Sequence, residues 1–288
     1  IYPLSLHTAL PILYGAAAAN GVIIVTTKKG KKGETKVEVN SQTSFGLPYL
    51  YPEFQNEYGQ GIGGVYSEAE AISSWGPKMS GQTVTNWTGE EIQLRPQPNN
   101  VKDIFRTSHN LINSLSYSTG NQNSTAYFSY TNKIGQGLLP VNSSTSHQLN
   151  MRLETELVKN LKLDVVTTWS HGENENTPVS GDDLFSPMWQ LVKMPRSIRT
   201  SDIEAASYYD ETGSLKQLTW APNVTTNISP YWSMYGREAL STDTNLNTVA
   251  TLKYNFTPWL YIQFRGRMAY NYSDSEEKLY WDTQYVSS

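Results

Sequence analysis

The chain has 288 residues, a formal net charge of −4 and no cysteine, which is length enough for one large domain or two small ones. The missing cysteines exclude disulfide frameworks, Cys-based zinc sites and thiol nucleophiles, and the negative balance argues against nucleic acid as a partner. Hydrophobic residues make up 38% and aromatics 12%, with 19 Tyr, and mean hydropathy is −0.49. Tyr and Trp among Thr, Asn and Ser are the palette of half-exposed β structure and of membrane-interface belts.

In chain order, residues 1–12, IYPLSLHTALPI, break with everything that follows and read as non-native. There is no initiator Met and no basic region followed by an apolar core, so no signal peptide is read here and the chain reads as a fragment. No apolar run reaches the ~18 residues of a membrane-spanning helix. Next comes LYGAAAANGVIIVTTKKGKKG, Leu13 to Gly33. Its first part predicts a short helical or turn segment closed by Asn20-Gly21, a pair that readily takes positive φ. VIIVTT is a continuous apolar β run of the kind buried on both faces. KKGKKGE reads as a solvated, flexible, basic linker. The expected organisation is therefore a small packed unit over 13–32 followed by a different kind of structure over 33–288.

From Gly33 onward the periodicity is close to two. Val37, Val39, Ser41, Thr43 and Phe45 share a face opposite Lys36, Glu38, Asn40 and Gln42. Leu149, Met151, Leu153, Thr155 and Leu157 oppose Gln148, Asn150, Arg152, Glu154 and Glu156, and Leu161, Leu163, Val165, Thr167 and Trp169 repeat the pattern. So do Leu246, Thr248, Ala250, Leu252, Tyr254 and Phe256, then Ile262, Phe264, Met268, Tyr270 and Tyr272. The stretches around 110–119 and 124–133 alternate more weakly. These are strands with one apolar and one polar face. Most exceed the globular mode of about five or six residues and match the ~9–11 residues that span a bilayer as a tilted strand.

Short connections (GNQN, VKN and TP) alternate with long ones over 46–109, 134–145 and 171–245. Outer-membrane barrels sort their loops this way, with tight turns at one end and large loops at the other. The fold class expected is all-β, part of a transmembrane antiparallel β-barrel with about seven strands present. The alternative is a soluble or surface-exposed β-sandwich that binds glycans without transport, since amphipathic strands also build ordinary half-buried sheets.

The run YG…AANGVI…TTKKG resembles the end of the plug domain in the SusC/RagA family of TonB-dependent outer-membrane transporters of Bacteroidetes. Tyr14, Gly15, Ala18, Ala19, Asn20, Gly21, Val22, Ile23, Thr26, Thr27, Lys28, Lys29 and Gly30 carry the likeness, while Ala16 and Ala17 stand where larger or charged residues are usual. Asp103 to Pro140 and FTPWLYIQFRGR are similar to that family's early barrel and strand–Pro–strand turn. The resemblance implies that 13–32 ends a plug, that Lys28, Lys29 and Gly30 link it to the barrel, and that a full barrel has roughly 22 strands. It further implies a protein of the outer membrane, set in its lipid, that imports a large nutrient such as an oligosaccharide or a peptide. The implied partners are a SusD-like surface lipoprotein over the loops and the TonB–ExbB–ExbD complex as energy source.

No set of nucleophile, base and acid stands out, so a non-enzyme without cofactor or metal is expected. His7, His109, His147 and His171 lack metal spacing, and interfacial or loop roles are expected for His147 and His171. GQGIGG at 59–64 lacks the strand–helix setting and the following Lys-Ser/Thr of a phosphate loop and reads as a flexible loop. ENEN at 173–176 and SGDD at 180–183 read as solvated acidic loops. The candidate ligand contacts are loop aromatics, because aromatic faces stack on sugar rings while amides and carboxylates bond hydroxyls. They are Tyr49, Tyr51, Tyr58, Trp75 and Trp87 in the first long loop, and Trp189, Trp220, Tyr231, Trp232 and Tyr235 in the last.

Overall fold

The structure, a computed structural model, describes residues 28–205, 207–224 and 226–280. The plug-end motif from Tyr14 to Thr27 lies outside the described residues, as do residues 1–12.

The chain begins with strand β1 (Lys36–Gly46) and then enters a long connection that holds two short strands, β2 (Thr83–Thr85) and β3 (Glu91–Gln93). Four long strands follow: β4 (Ser108–Gly120), β5 (Ser124–Gln136), β6 (Ser143–Val158) and β7 (Leu161–Glu175). A second long connection carries helices α1 (Pro187–Lys193) and α2 (Thr200–Glu204), strands β8 (Ser207–Tyr209) and β9 (Leu215–Gln217), and helix α3 (Pro230–Tyr235). It leads into β10 (Arg237–Asn255) and β11 (Tyr261–Leu279).

The seven long strands form one antiparallel sheet in the order β1-β4-β5-β6-β7-β10-β11, in which every strand pairs with its neighbour along the chain of long strands. This is an open section of an up-and-down β-barrel wall. Register places alternate residues in continuous rows. Val39, Leu115, Tyr130, Leu149, Trp169, Leu246 and Tyr270 form one row of the apolar face. Glu38, Ser116, Ser129, Asn150, Thr168, Asn247 and Ala269 form one row of the polar face.

The turns are built by local chemistry. Between β4 and β5, Asn121 Oδ1 accepts from the backbone N–H groups of Asn123 and Ser124 at 2.9 and 2.8 Å, which is how an Asx turn closes. Between β6 and β7, Asn160 takes a φ of 68° and its N–H donates to Glu156 Oε1 at 3.0 Å. Between β10 and β11, Phe256 N–H donates to Leu260 O at 2.9 Å.

The apolar band runs from Leu161 to Trp169 on β7 and from Tyr254 to Leu246 on β10. At about 3.3 Å per residue that is ~26 Å along the strand, or ~20 Å of height at a tilt of about 35–45°. The strands do not stop where the band does: β10 and β11 have 19 residues each. The connections are therefore 47–107, 137–142 and 176–236, shorter than the loops expected at 46–109, 134–145 and 171–245. Past Trp169 both faces of the sheet carry polar side chains, such as Glu173, Asn174, Thr242 and Asp274. The backbone ladder continues there while the two-residue period of hydrophobicity fades, so the pattern that marks a strand ends before the strand.

None of the sheet's apolar residues belongs to the hydrophobic core. The core lies in the long connections, where Val101, Ile104, Leu139, Leu191, Met194, Ile198, Ile203, Trp220, Ile228, Trp232 and Met234 pack together. The loops thus form a compact cap at the end of the sheet opposite the tight turns. A sandwich would lay a second sheet on the apolar face, and the described residues place none there. Leu115, Met151, Leu153 and Met268 of that face stay exposed.

Candidate functional site

The cap is held by buried polar side chains that bridge the first and last long connections. Arg196, only 3% exposed, donates from its guanidinium to Gln97 O at 3.1 Å, Pro98 O at 3.0 Å and Asn56 Oδ1 at 3.3 Å, and also to Asn100 Oδ1. It lies over the Phe54 ring at 4.8 Å, and its backbone N–H donates to Ser74 Oγ at 2.8 Å. Burial without a carboxylate partner pulls its pKa below the usual guanidinium value. Gln60 works from the other side: Nε2 donates to Ala71 O at 3.0 Å and to Trp220 O at 2.5 Å. GQGIGG is therefore tied into the cap at Gly59–Gly61, while Ile62, Gly63 and Gly64 form an exposed turn. Gly61 and Gly76 bring two backbone segments so close that a Cβ on Gly61 would sit 2.0 Å from Val65 O, and one on Gly76 2.2 Å from Gln60 O.

This bracing decides what each predicted aromatic does. Trp220 is 0% exposed and Trp232 and Tyr231 are buried, all three in the cap core. Trp87 and Tyr51 pack against that core, with Tyr51 edge-on to Phe105 at 6.0 Å and under Lys102 at 5.3 Å. Trp220, Trp232 and Tyr231 hold the cap together from within, and the half-buried Trp87 and Tyr51 brace it from its edge. Tyr49 stands out in solvent, Trp189 lies under Lys193 Nζ at 5.2 Å, and Tyr235 stacks on Tyr231 at 6.2 Å.

Two predicted residues meet. Tyr58 and Trp75, 45% and 75% exposed, flank an open groove of about 640 Å³ that Gln55, Gly63, Gly64, Ser74 and Gly76 also line. Ile62 and Val65 exchange backbone hydrogen bonds at 2.9 and 3.0 Å around Gly63 and Gly64, both at positive φ. This tight turn keeps the groove floor free of side chains. The lining carries no charged residue. Its aromatic faces and backbone groups suit an uncharged, partly apolar ligand segment, a sugar ring or a neutral stretch of peptide. Sequence reasoning found the two rings and missed Gln55 and Ser74. The glycines at 59–64 were the available signal, since they mark a close backbone approach as well as a flexible loop.

A second polar site lies on the sheet. Arg152 donates to Asp164 with two nitrogens, at 3.0 and 2.8 Å, and Glu154 beside them receives Lys29 Nζ at 3.3 Å. Lys28 shares a cavity of about 190 Å³ with Tyr127, Ser129, Asn150, Arg152 and Thr168. Of the linker residues, Lys28 and Lys29 are exposed and Gly30 is buried, so the expected free linker is seated on the wall.

The histidines sit at the cap-side edge of the apolar band. His147 and His171 are direct cross-strand partners. Tyr130 OH and His147 Nδ1 share a hydrogen bond of 2.7 Å, Trp169 stacks on His171 at 6.2 Å, and Phe45 stacks on His109 at 5.0 Å. Among the described residues no three His, Cys, Asp or Glu side chains group to hold a metal. Asp183 of the SGDD stretch caps a turn, accepting from Phe185 N–H at 2.7 Å.

No family model matches this chain, and no curated protein matches it. Solved structures do. A chain of the RagAB peptide importer in its closed-closed state superposes with a TM-score of 0.64 at 16% identity, over 96% of this chain and 32% of that one. In the open-open state the values are 0.61 and 16%, over 94% of this chain and 31% of that one. The likeness is one of fold, and the chain spans about a third of the length of those chains.

Proposed function

We propose that this chain forms part of the wall and outer cap of an outer-membrane transporter that imports a large nutrient, an oligosaccharide or a peptide. The observation that carries this reading is the uncovered apolar face. A band of ~20 Å, bordered by Tyr130, Trp169, Tyr270 and the histidines, fits a hydrocarbon layer whose outward-facing apolar strip is ~25 Å tall between aromatic girdles. In the closed barrel this face meets lipid and the polar face lines the lumen. The fold shared with a peptide importer supports the reading, as do the plug-end motif and the linker leading onto the polar face.

On this reading the cap faces outward and the Tyr58–Trp75 groove makes an early contact with the substrate, beneath a SusD-like lipoprotein. A plug formed by the chain upstream of Lys28 closes the lumen, and TonB–ExbB–ExbD supplies the work that moves it. The substrate passes unchanged, with no covalent step and no cofactor.

The test compares cells with and without the full-length chain, offering fluorescent oligosaccharides and, separately, fluorescent peptides. Surface binding and entry into the periplasm are scored apart, with and without an uncoupler. The expected result is binding in both conditions and entry only in energised cells. Entry that is indifferent to the chain or to the uncoupler would overturn the proposal.

A further inference from the structure

Residues 28–33 run diagonally across the polar face of three strands before they turn into β1. Lys29 reaches Glu154 on β6, and Lys32 Nζ donates to Gln122 O in the β4–β5 turn at 2.6 Å. Gly33 N–H donates to Gly120 O at 2.8 Å. The closest approach is steric. A Cβ on Gly30 would lie 2.4 Å from Thr119 O and 2.6 Å from Ala126 O, and a Cβ on Gly120 would lie 2.5 Å from Lys31 O. Thr119 and Ala126 are cross-strand partners whose side chains belong to the apolar face, so on the polar side their backbone is bare. Gly120, their neighbour, has no side chain to raise. A strap glycine and a wall glycine therefore interlock. Thr125, which pairs with Gly120, is only 7% exposed although it belongs to the polar face.

We propose that residues 28–33 are a fixed anchor: they seat the chain upstream of β1 against the wall of β4–β6 and stay seated while that upstream part moves. The import reading supplies the movement. Under it, a pull on the plug would be delivered to the wall at Gly30 and Glu154, and the plug would pivot at or upstream of residue 28. The backbone contacts favour a permanent seat over a latch. Exposed ion pairs such as Lys29–Glu154 exchange readily, whereas an interlock between two backbones cannot slide without separating.

These 288 residues hold no cysteine, so in a full-length background cleared of any other cysteine each introduced thiol reports on its own position. In the full-length chain, Thr125→Cys beside the strap and Asn123→Cys in the exposed turn are each placed alone and treated with a small thiol reagent. The expected result is a Thr125→Cys that stays protected in de-energised and energised membranes alike, beside a freely reactive Asn123→Cys. Adding Gly30→Val, or Gly120→Val from the wall side, should abolish the protection while Asn123→Cys is unchanged. Glu154→Gln should leave it largely intact. Two results would overturn the proposal: a Thr125→Cys that becomes reactive on energising the membrane, or protection that survives both valine variants. The valine comparison in de-energised membranes needs no transport, so it judges the seat even if the uptake experiment fails.

Discussion

Trp220 and Trp75 lie in similar polar, loop-like sequence, yet one is fully buried and the other largely exposed. Trp220→Ala should destabilise the cap by about 3–5 kcal/mol, the usual cost of truncating a large buried aromatic. Trp75→Ala should change stability by less than about 0.5 kcal/mol, as exposed substitutions do, while weakening ligand binding in the groove. Denaturation followed by tryptophan fluorescence, alongside surface binding of labelled oligosaccharide or peptide, separates the two. Arg196→Met should cost about 2–4 kcal/mol because it leaves Asn56, Asn100 and two carbonyls without their buried donor. Burial also pushes the Tyr66 phenol up to about 12 and raises Tyr231 further, helped by Glu204. Unfolded tyrosine ionises near pH ~10. The folded cap therefore holds these protons longer, and its stability is intact below pH ~10 and falls as pH rises above that. An alkaline titration should loosen the cap before it loosens the sheet, and Tyr231→Phe should delay the loss. None of this could be read locally: the sequence marked Trp75, Trp220 and Tyr231 alike as loop aromatics and did not single out Tyr66, and burial depends on partners far along the chain, such as Trp220 on Gln60.

The strands were the most legible elements. Period two, length and the sorting of short and long connections predicted seven strands in the observed order, because each signal is set by near neighbours. What escaped were the strand ends in water and the secondary structure within the loops, where α1, α2 and α3 have at most seven residues. Such helices are stabilised by packing, since isolated helices of this length do not form. Face assignment gives a sharp test. Leu153→Arg, in the middle of the apolar band, should cost about 2–4 kcal/mol in a bilayer, and Thr168→Arg on the polar face far less. Thermal unfolding of the full-length protein in lipid vesicles would show it, and equal costs would contradict the assignment of faces. At the groove hairpin, Gly61→Ala should spread the two backbone segments and lower ligand binding even though it touches no ring.

As a whole, the described structure is a wall without a closed barrel. Both edge strands, β1 and β11, present unpaired backbone, and the apolar face has no cover. Residues 33–288 expressed alone in water should aggregate through those edges and that face and should disperse in detergent. A soluble monomer that melts cooperatively would instead favour the self-contained binding module.

The sequence by itself determined the all-β class, the two faces and the order of the long strands, because alternation and turn chemistry act between near neighbours and need no knowledge of the rest. The tertiary structure alone decided that two long connections fold into one braced cap, that Tyr58 and Trp75 share a groove while Trp220 and Trp232 do not, and that the basic linker is seated on the wall with its Gly30 interlocked against Gly120. Those outcomes rest on contacts between segments distant in the chain, made by Arg196, Gln60 and Gly30, whose partners no local pattern records.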